Sequence, residues 1–300
     1  MNTHQIRTIG MRIVRVTTLL KFRLLHHRAY TYIGSAIILS SMQKSGTNYL
    51  RLLISNYLYI LHSNDISNKL DYDAVQHSFP NVRSYVLSGK ENIAYSRSFI
   101  SLDTVGYTDF IYDHGCFSES LNLRMNFVFK SLLGKKTIYL YRNPYDNLIS
   151  MYYYKFGNRV GSKSSYSHPR ELIKDFIPQF CRRYMVQKAL AAQAGALMIS
   201  YEELIRDPVS TLRRLLNHLD LSFDESAAKV ALESSSIKSV KAMEKKRGKA
   251  IHSPKEGLTG SFIRSGQIGQ WKEYFSAQDL IEIKAIINSY SISIDDFIIE

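Results

Sequence analysis

The stretch "AIILSSMQKSGTNYL", residues 36–50, decides the fold. Its apolar run Ala36 to Leu39 predicts a buried strand near 35–41. A helix over Thr47–Leu61 follows at once, with Leu50, Leu53, Ile54, Tyr57 and Leu61 on one face. A helix that begins directly after a strand turns unpaired N–H groups and a partial positive charge toward whatever lies beyond the strand end. Lys44, Ser45, Gly46, Thr47 and Asn48 occupy that turn, so the segment reads as strand, anion cradle, helix.

The same grammar returns along the chain. "TIYLY" at 137–141 is a second buried strand, and "RNPYDNLISMYYYKF" starts a helix, with Asn143 as cap, Pro144 at the first helical position and Asp146 in the first turn. "DFIYDHG" at 109–115 predicts a short strand ending in His114-Gly115, "ALMIS" at 196–200 another, and 84–87 a further short one. Helices are expected near 121–133, 208–219, 223–234 and 276–289. Strands alternating with helices predict an α/β protein with a P-loop-like three-layer fold, a central parallel β-sheet flanked by helices. The stretch from Met243 to Gly269, rich in glycine and carrying "EKKRGK", reads as a loop over a site.

Charge sets the kind of partner. The 300 residues carry a net charge of +13, and no Asp or Glu precedes Asp65 while eight Lys or Arg do. An acidic ligand is implied. Two cysteines, Cys116 and Cys181, are too few for a disulfide scaffold and lack metal-ligand spacing. No apolar run approaches the ~18 residues of a spanning helix, and residues 1–30 lack the apolar core of a signal peptide, so the cytoplasm is the expected location. Ile6, Ile9, Ile13, Val16, Leu20 and Leu24 recur at helical spacing among Arg7, Arg12, Arg15, Lys21 and Arg23. Residues 1–34 therefore form a basic amphipathic segment ahead of one domain at 35–300. Packing on that domain and peripheral contact with an anionic inner membrane face are its two readings.

Which anion the turn holds follows from what it lacks. A nucleoside-triphosphatase loop needs G-x-x-x-x-G-K-[ST] and an acidic residue at a later strand end for magnesium. Here Lys44 precedes Gly46, and the strand at 137–141 runs into Arg142. Protein cations thus take the place of a metal, and none is expected.

"QKSGTNYL" resembles the 5′-phosphosulfate loop of the sulfotransferases that use 3′-phosphoadenosine 5′-phosphosulfate (PAPS). "IYLYRNPYDNLISMYYY" resembles their 3′-phosphate motif, with Arg142 and Ser150 eight residues apart, and "SYEEL" and "RSGQIGQWKEYF" resemble two later segments in the same order. The resemblance spans about Ile37 to Phe275. It implies PAPS as co-substrate, with Lys44, Ser45, Gly46, Thr47 and Asn48 at the 5′-phosphosulfate. Arg142, Ser150, Arg264 and Gly266 would bind the 3′-phosphate, and Tyr201, Tyr49, Ser236 and Ile237 would lie about the adenine. Some positions depart from the usual pattern. Gln43 replaces a proline, Asn48 a second threonine, Tyr49 a stacking tryptophan, Ile237 an aromatic, and Ser265 the lysine of R-K-G.

For chemistry, the resemblance implies Lys44 at the leaving oxygen, Ser150 beside the donor and His114 as the base that deprotonates the acceptor. Asp113 and Glu91 are the rival bases. The expected acceptor is a carbohydrate hydroxyl, followed by a glycolipid and a small alcohol; nucleic acid is not expected. Two other classes stay open at this stage: a P-loop nucleotide kinase or NTPase-like enzyme, and a non-enzymatic basic module binding nucleic acid or membrane.

Overall fold

The computed structural model describes residues 37–63, 70, 74–75, 79, 136–157, 166–247 and 265–298, and the backbone of 110–113. The basic segment 1–34, the strand expected at 84–87, the helix expected at 121–133, Glu91, His114 and Arg264 lie outside these residues.

Among the described residues, four parallel strands form the sheet, in the order β2-β1-β3-β4. They are β1 (Ile37–Ser41), β2 (Phe110–Asp113), β3 (Thr137–Tyr141) and β4 (Leu197–Ser200). Registers align their ends: Ser40 pairs with Asp113, Ser41 with Leu140, and Tyr141 with Ser200. Every residue of β1 is buried, as a central parallel strand covered on both faces requires.

Alternation along the strands builds two cores. Ile37, Leu39, Ile138, Leu140 and Ile199 point to one side, where helices α1 (Thr47–Ser63), α5 (Pro208–His218) and α6 (Glu225–Ser235) cover them with Leu50, Leu53, Leu212, Leu215 and Ala228. Ile38 and Tyr139 point to the other, under α2 (Pro144–Tyr152), α3 (Ile173–Gln193) and α8 (Ala277–Ser289), which supply Leu148, Ile177, Tyr184 and Ile283. The result is helix, sheet, helix, as the alternation of segments predicts. Between β4 and α5 lies the short α4 (Tyr201–Arg206), and after α6 comes α7 (Ile237–Arg247).

Three elements differ from the sequence reading. The first turn and a half of the supposed loop after Met243 is the end of α7, because Val240 and Glu244 are buried four residues apart on one face. Helix α3, which has Pro178 inside it, had no counterpart in the sequence reading. The strand expected at 196–200 is followed at once by α4, a short helix absent from the sequence reading, whose first residue is Tyr201 and whose cap Ser200 exchanges hydrogen bonds with Glu203. Among the described residues, no helix is long and apolar enough to cross a membrane.

Candidate donor-binding site

The turn after β1 is held in shape from within. Ser45 Oγ donates to the Met42 carbonyl at 2.6 Å and to that of Leu140 at 3.2 Å. Its amide bonds Met42 as well. Thr47 Oγ1 donates to Ser41 Oγ at 2.8 Å. These side chains fasten the turn to β1 and β3, and the turn brings to an anion the Lys44 ammonium, the main chain of Gly46 and the first turn of α1. Lys44 and Gly46 both have positive φ, 66° and 91°. Asn48 accepts from Nη1 of Arg51 at 3.2 Å, and Arg51 also donates to the carbonyls of Val75 and Phe79. Arg51 is fully buried although it sits in an apolar helix; an arginine inside "YLRLLIS" is the sequence signal that was missed.

The turn after β3 is built differently. Asn143 caps α2, its Oδ1 accepting from the Asp146 amide at 2.8 Å, as the sequence predicts. Arg142, 7% exposed, lies with its guanidinium 4.4 Å above the Tyr201 ring and donates from Nη2 to the Gln267 carbonyl at 3.1 Å. Asp146 and Glu202 flank it at 3.8 and 3.9 Å. Asp146 also accepts from the amides of Gly269, at 2.8 Å, and Trp271, at 3.3 Å. Thus the segment 265–271 is pinned to α2. Neither buried carboxylate stood out in the sequence, where Asp146 is a helix-start residue and Glu202 half of an acidic pair.

Tyr201 joins the two turns. Its ring lies against Gly46, where an added Cβ would come within 2.4 Å of Cδ2, and its hydroxyl donates to the Gly266 carbonyl at 2.7 Å. Gly266, at φ 66°, packs on Ile237, whose Cδ1 would be 2.3 Å from a Cβ there. Ser236 precedes α7 and accepts from the Ser239 amide at 3.2 Å; Ser265 accepts from the Gln267 amide at 3.4 Å. Tyr49 is half-buried near Tyr201, and burial together with the charge of a Tyr201 phenolate pushes its pKa up to about 12. Ser150 is half-buried on α2. The structure therefore brings Lys44, Ser45, Gly46, Tyr49, Arg142, Tyr201, Ile237 and Gly266 together beyond the ends of β1 and β3.

The electrostatics are those of an anion site. Burial, reinforced by the charge of Arg142, lowers the Lys44 pKa to about 8. Two cations held this close, with one driven toward neutrality, gain stability from an anion between them. The exposed ring of Tyr154, in the π-helical turn Tyr153–Gly157 that ends α2, lies 4.5 Å from Lys44 Nζ. Glu202, fully buried, has its pKa raised to about 7, chiefly by burial.

Comparison with known proteins finds the same fold. A mouse sulfotransferase complexed with 3′-phosphoadenosine 5′-phosphate (PAP) superposes with a TM-score of 0.57 at 21% identity, covering 86% of this chain and 84% of that one. A retinol dehydratase in complex with retinol and PAP gives 0.56 at 17% identity, over 86% and 81%. At such identities these are likenesses of fold. In sequence, the chain is 26% identical to a 3-beta-hydroxysteroid sulfotransferase of Cavia porcellus over 50% of its own length and 54% of the relative's. It is 23% identical to cytosolic sulfotransferase 10 of Arabidopsis thaliana over 84% and 76%. It thus spans about half to three quarters of the length of these curated relatives. The sulfotransferase domain model matches residues 35–291, nearly the whole chain, and the protein belongs to the sulfotransferase domain family.

Proposed function

We propose that the protein transfers a sulfuryl group from PAPS to the hydroxyl of a small alcohol. One observation carries this reading: two cation-bearing turns, Lys44 after β1 and Arg142 after β3, stand at the ends of adjacent parallel strands with Tyr201 between them. The residues present fit such a donor. Gly46 and Gly266 let the side chains of Tyr201 and Ile237 pack directly on the main chain of the two turns, and buried Arg142 has an Nε without a hydrogen-bond partner. Lys44 and the amides from Gly46 to Asn48 would hold the 5′-phosphosulfate. Arg142 and Ser150, with Arg264, would hold the 3′-phosphate, and Tyr49, Tyr201, Ser236 and Ile237 would flank the adenine, Ser265 standing at the rim.

The donor brings an activated sulfuryl group and a good leaving group. Lys44 stabilises the charge that grows on the departing oxygen, a contribution of about 3 kcal/mol for a preorganised group. His114 accepts the acceptor's proton. It follows β2 directly in sequence, and β2 ends at Asp113, paired near the end of β1, so the chain leaves both strands at the same edge of the sheet.

A small alcohol as acceptor is supported by the relatives. One is named for 3-beta-hydroxysteroids, and retinol dehydratase structures carry retinol or androsterone. The aromatic wall beyond Lys44, with Tyr153 and Tyr274 hydroxyls 2.9 Å apart, suits an apolar body bearing one hydroxyl. A panel of sterols, phenols, primary alcohols and sugars offered with labelled PAPS tests the proposal. Label on sterols or simple alcohols is the expected result, and Lys44→Ala should lose both donor affinity and rate. Label on sugars alone would replace the acceptor by a carbohydrate or glycolipid; transfer from ATP in preference to PAPS would overturn the donor.

A further inference from the structure

Arg142 is shared by two buried carboxylates that are treated very differently. Asp146 receives hydrogen bonds from Asn143 Nδ2 at 3.2 Å, the Gly269 amide at 2.8 Å and the Trp271 amide at 3.3 Å. Its charge is met. Glu202 receives two bonds, from the Asn143 amide at 3.2 Å and Nδ2 at 2.8 Å, and both fall on Oε1. Its Oε2 is buried without a hydrogen-bond partner, and so is Arg142 Nε, 3.9 Å from Oε1. A contact of that length is an ion pair without a hydrogen bond, which compensates poorly for burying both charges.

The charge count sharpens the contrast. Among the described residues, Lys44 and Arg142 bring two positive charges to this edge of the site, and Asp146 and Glu202 bring two negative ones. Those four groups balance, so before the Arg264 of the donor reading is added they make a weak receptor for a phosphate dianion, and Ser265 supplies no further lysine. Of the four groups, Glu202 is the one whose charge is least supported by its neighbours. The other groups that face it are Tyr141 at the end of β3 and Tyr201 on its own helix, both neutral phenols whose ionisation it opposes. Glu203, next in the chain, pairs instead with Arg214 of α5.

We propose that Glu202 is a positioning residue for the donor: it steadies Arg142 and the Asn143 cap, and it takes up a proton when a phosphate claims the guanidinium. The inference rests on the donor reading above. The proton comes from solvent and ends on the Glu202 carboxylate, leaving the set with one net positive charge toward the anion. Burial, only partly offset by Arg142 and the backbone hydrogen bonds, already holds this group near the midpoint of its titration at neutral pH, at about 7, so uptake is measurable there.

Calorimetry of PAP binding at pH 7.0, in buffers of different ionisation enthalpy, counts the protons. At that pH, Lys44 and the phosphates of PAP contribute only about a tenth of a proton each, with opposite signs. Wild-type protein should take up as much as about half a proton per PAP, and Glu202→Gln, which keeps the acceptor for Asn143, should take up almost none. Between pH 6 and 8 the wild-type affinity should weaken several-fold relative to that of Glu202→Gln. A carboxyl that merely supports the fold would lower the Tm when replaced and leave the proton count unchanged. Equal counts in the two proteins overturn the inference while leaving the donor reading intact. So does an uptake below a tenth of a proton in wild type, which decides the matter even where the variant fails to fold. Absence of PAP binding by wild type overturns both.

Discussion

The turns after β1 and β3 do one job by opposite means. They follow neighbouring strands, end at the same level of the sheet and open into helices, α1 and α2. The first turn is a main-chain device: its hydroxyls are spent on fastening it, and Gly46 lies with Tyr201 against the face where a side chain would be. The second turn contains no glycine and works through Arg142, Asn143, Asp146 and, from α4, Glu202. A main-chain site is sensitive to volume and, Lys44 aside, indifferent to pH. A side-chain site tolerates small changes in shape and answers to charge. One cleft thus combines a rigid corner with a titratable one.

The largest expected effect breaks the rigid corner. Gly46→Ala places a methyl 2.4 Å from Tyr201 Cδ2 at a φ of 91°, so we expect a loss of about 2–4 kcal/mol in stability and a fall in PAP affinity beyond ~100-fold. Thermal unfolding and calorimetry measure both. Unchanged affinity would mean that the turn can reshape itself and the contrast is false. Next, His114→Ala should reduce turnover ~10²-fold while leaving PAP affinity within about twofold, because a base for the acceptor touches neither turn. If turnover survives, Asp113 and Glu91 are the bases to test.

Arg142→Ala comes third, weakening PAP by about 2 kcal/mol, or ~30-fold, with little change in Tm relative to Gly46→Ala. A loss equal to that of Gly46→Ala in both measurements would show that the side-chain corner is as structural as the other. The smallest effect concerns the one titratable group on the rigid turn. The Lys44 pKa lies near 8, so its cation is complete below that value and is lost as pH rises through it; PAP affinity should fall several-fold from pH 7.5 to 9. Lys44→Arg should flatten that alkaline limb, and calorimetry across the range would show it. An alkaline limb that persists in the variant would place the titration elsewhere.

Legibility in the sequence followed the same division. The turn after β1 was readable because its grammar is local: an apolar run, then Lys44-Ser45-Gly46-Thr47, then a helical stripe. The Asn143-Pro144-Asp146 helix start was readable for the same reason, as was the three-layer plan from alternating segments. What the sequence hid depends on burial by distant chain. Glu202 and Glu203 are adjacent and alike in composition, yet one is fully buried against Arg142 and the other pairs at the surface with Arg214. The hydroxyls of Ser45 and Thr47 look like anion ligands until their partners in β1 and β3 are seen. Tyr201, expected near the adenine, proves also to be the post against which Gly46, Arg142 and Gly266 are set. The end of helix α7, from Met243, was read as loop because its lysines mask the short buried face that Glu244 shares with Val240.

The clamp between α2 and the segment 265–271 carries a consequence for the order in which the chain assembles. Gly269 and Trp271 reach Asp146 across 123 and 125 residues, and Gln267 reaches Arg142 across 125. Contacts so remote in sequence incur the full entropy of loop closure before they return any bonding energy, so they form late. During synthesis the sheet can assemble as soon as β4 has emerged, whereas the second corner stays unfastened until residue 271 is free to fold back. A nascent chain ending before residue 264 would therefore carry the strands that bear Lys44 and Arg142 while lacking both the strap that fixes the guanidinium and α8, which closes one face of the sheet.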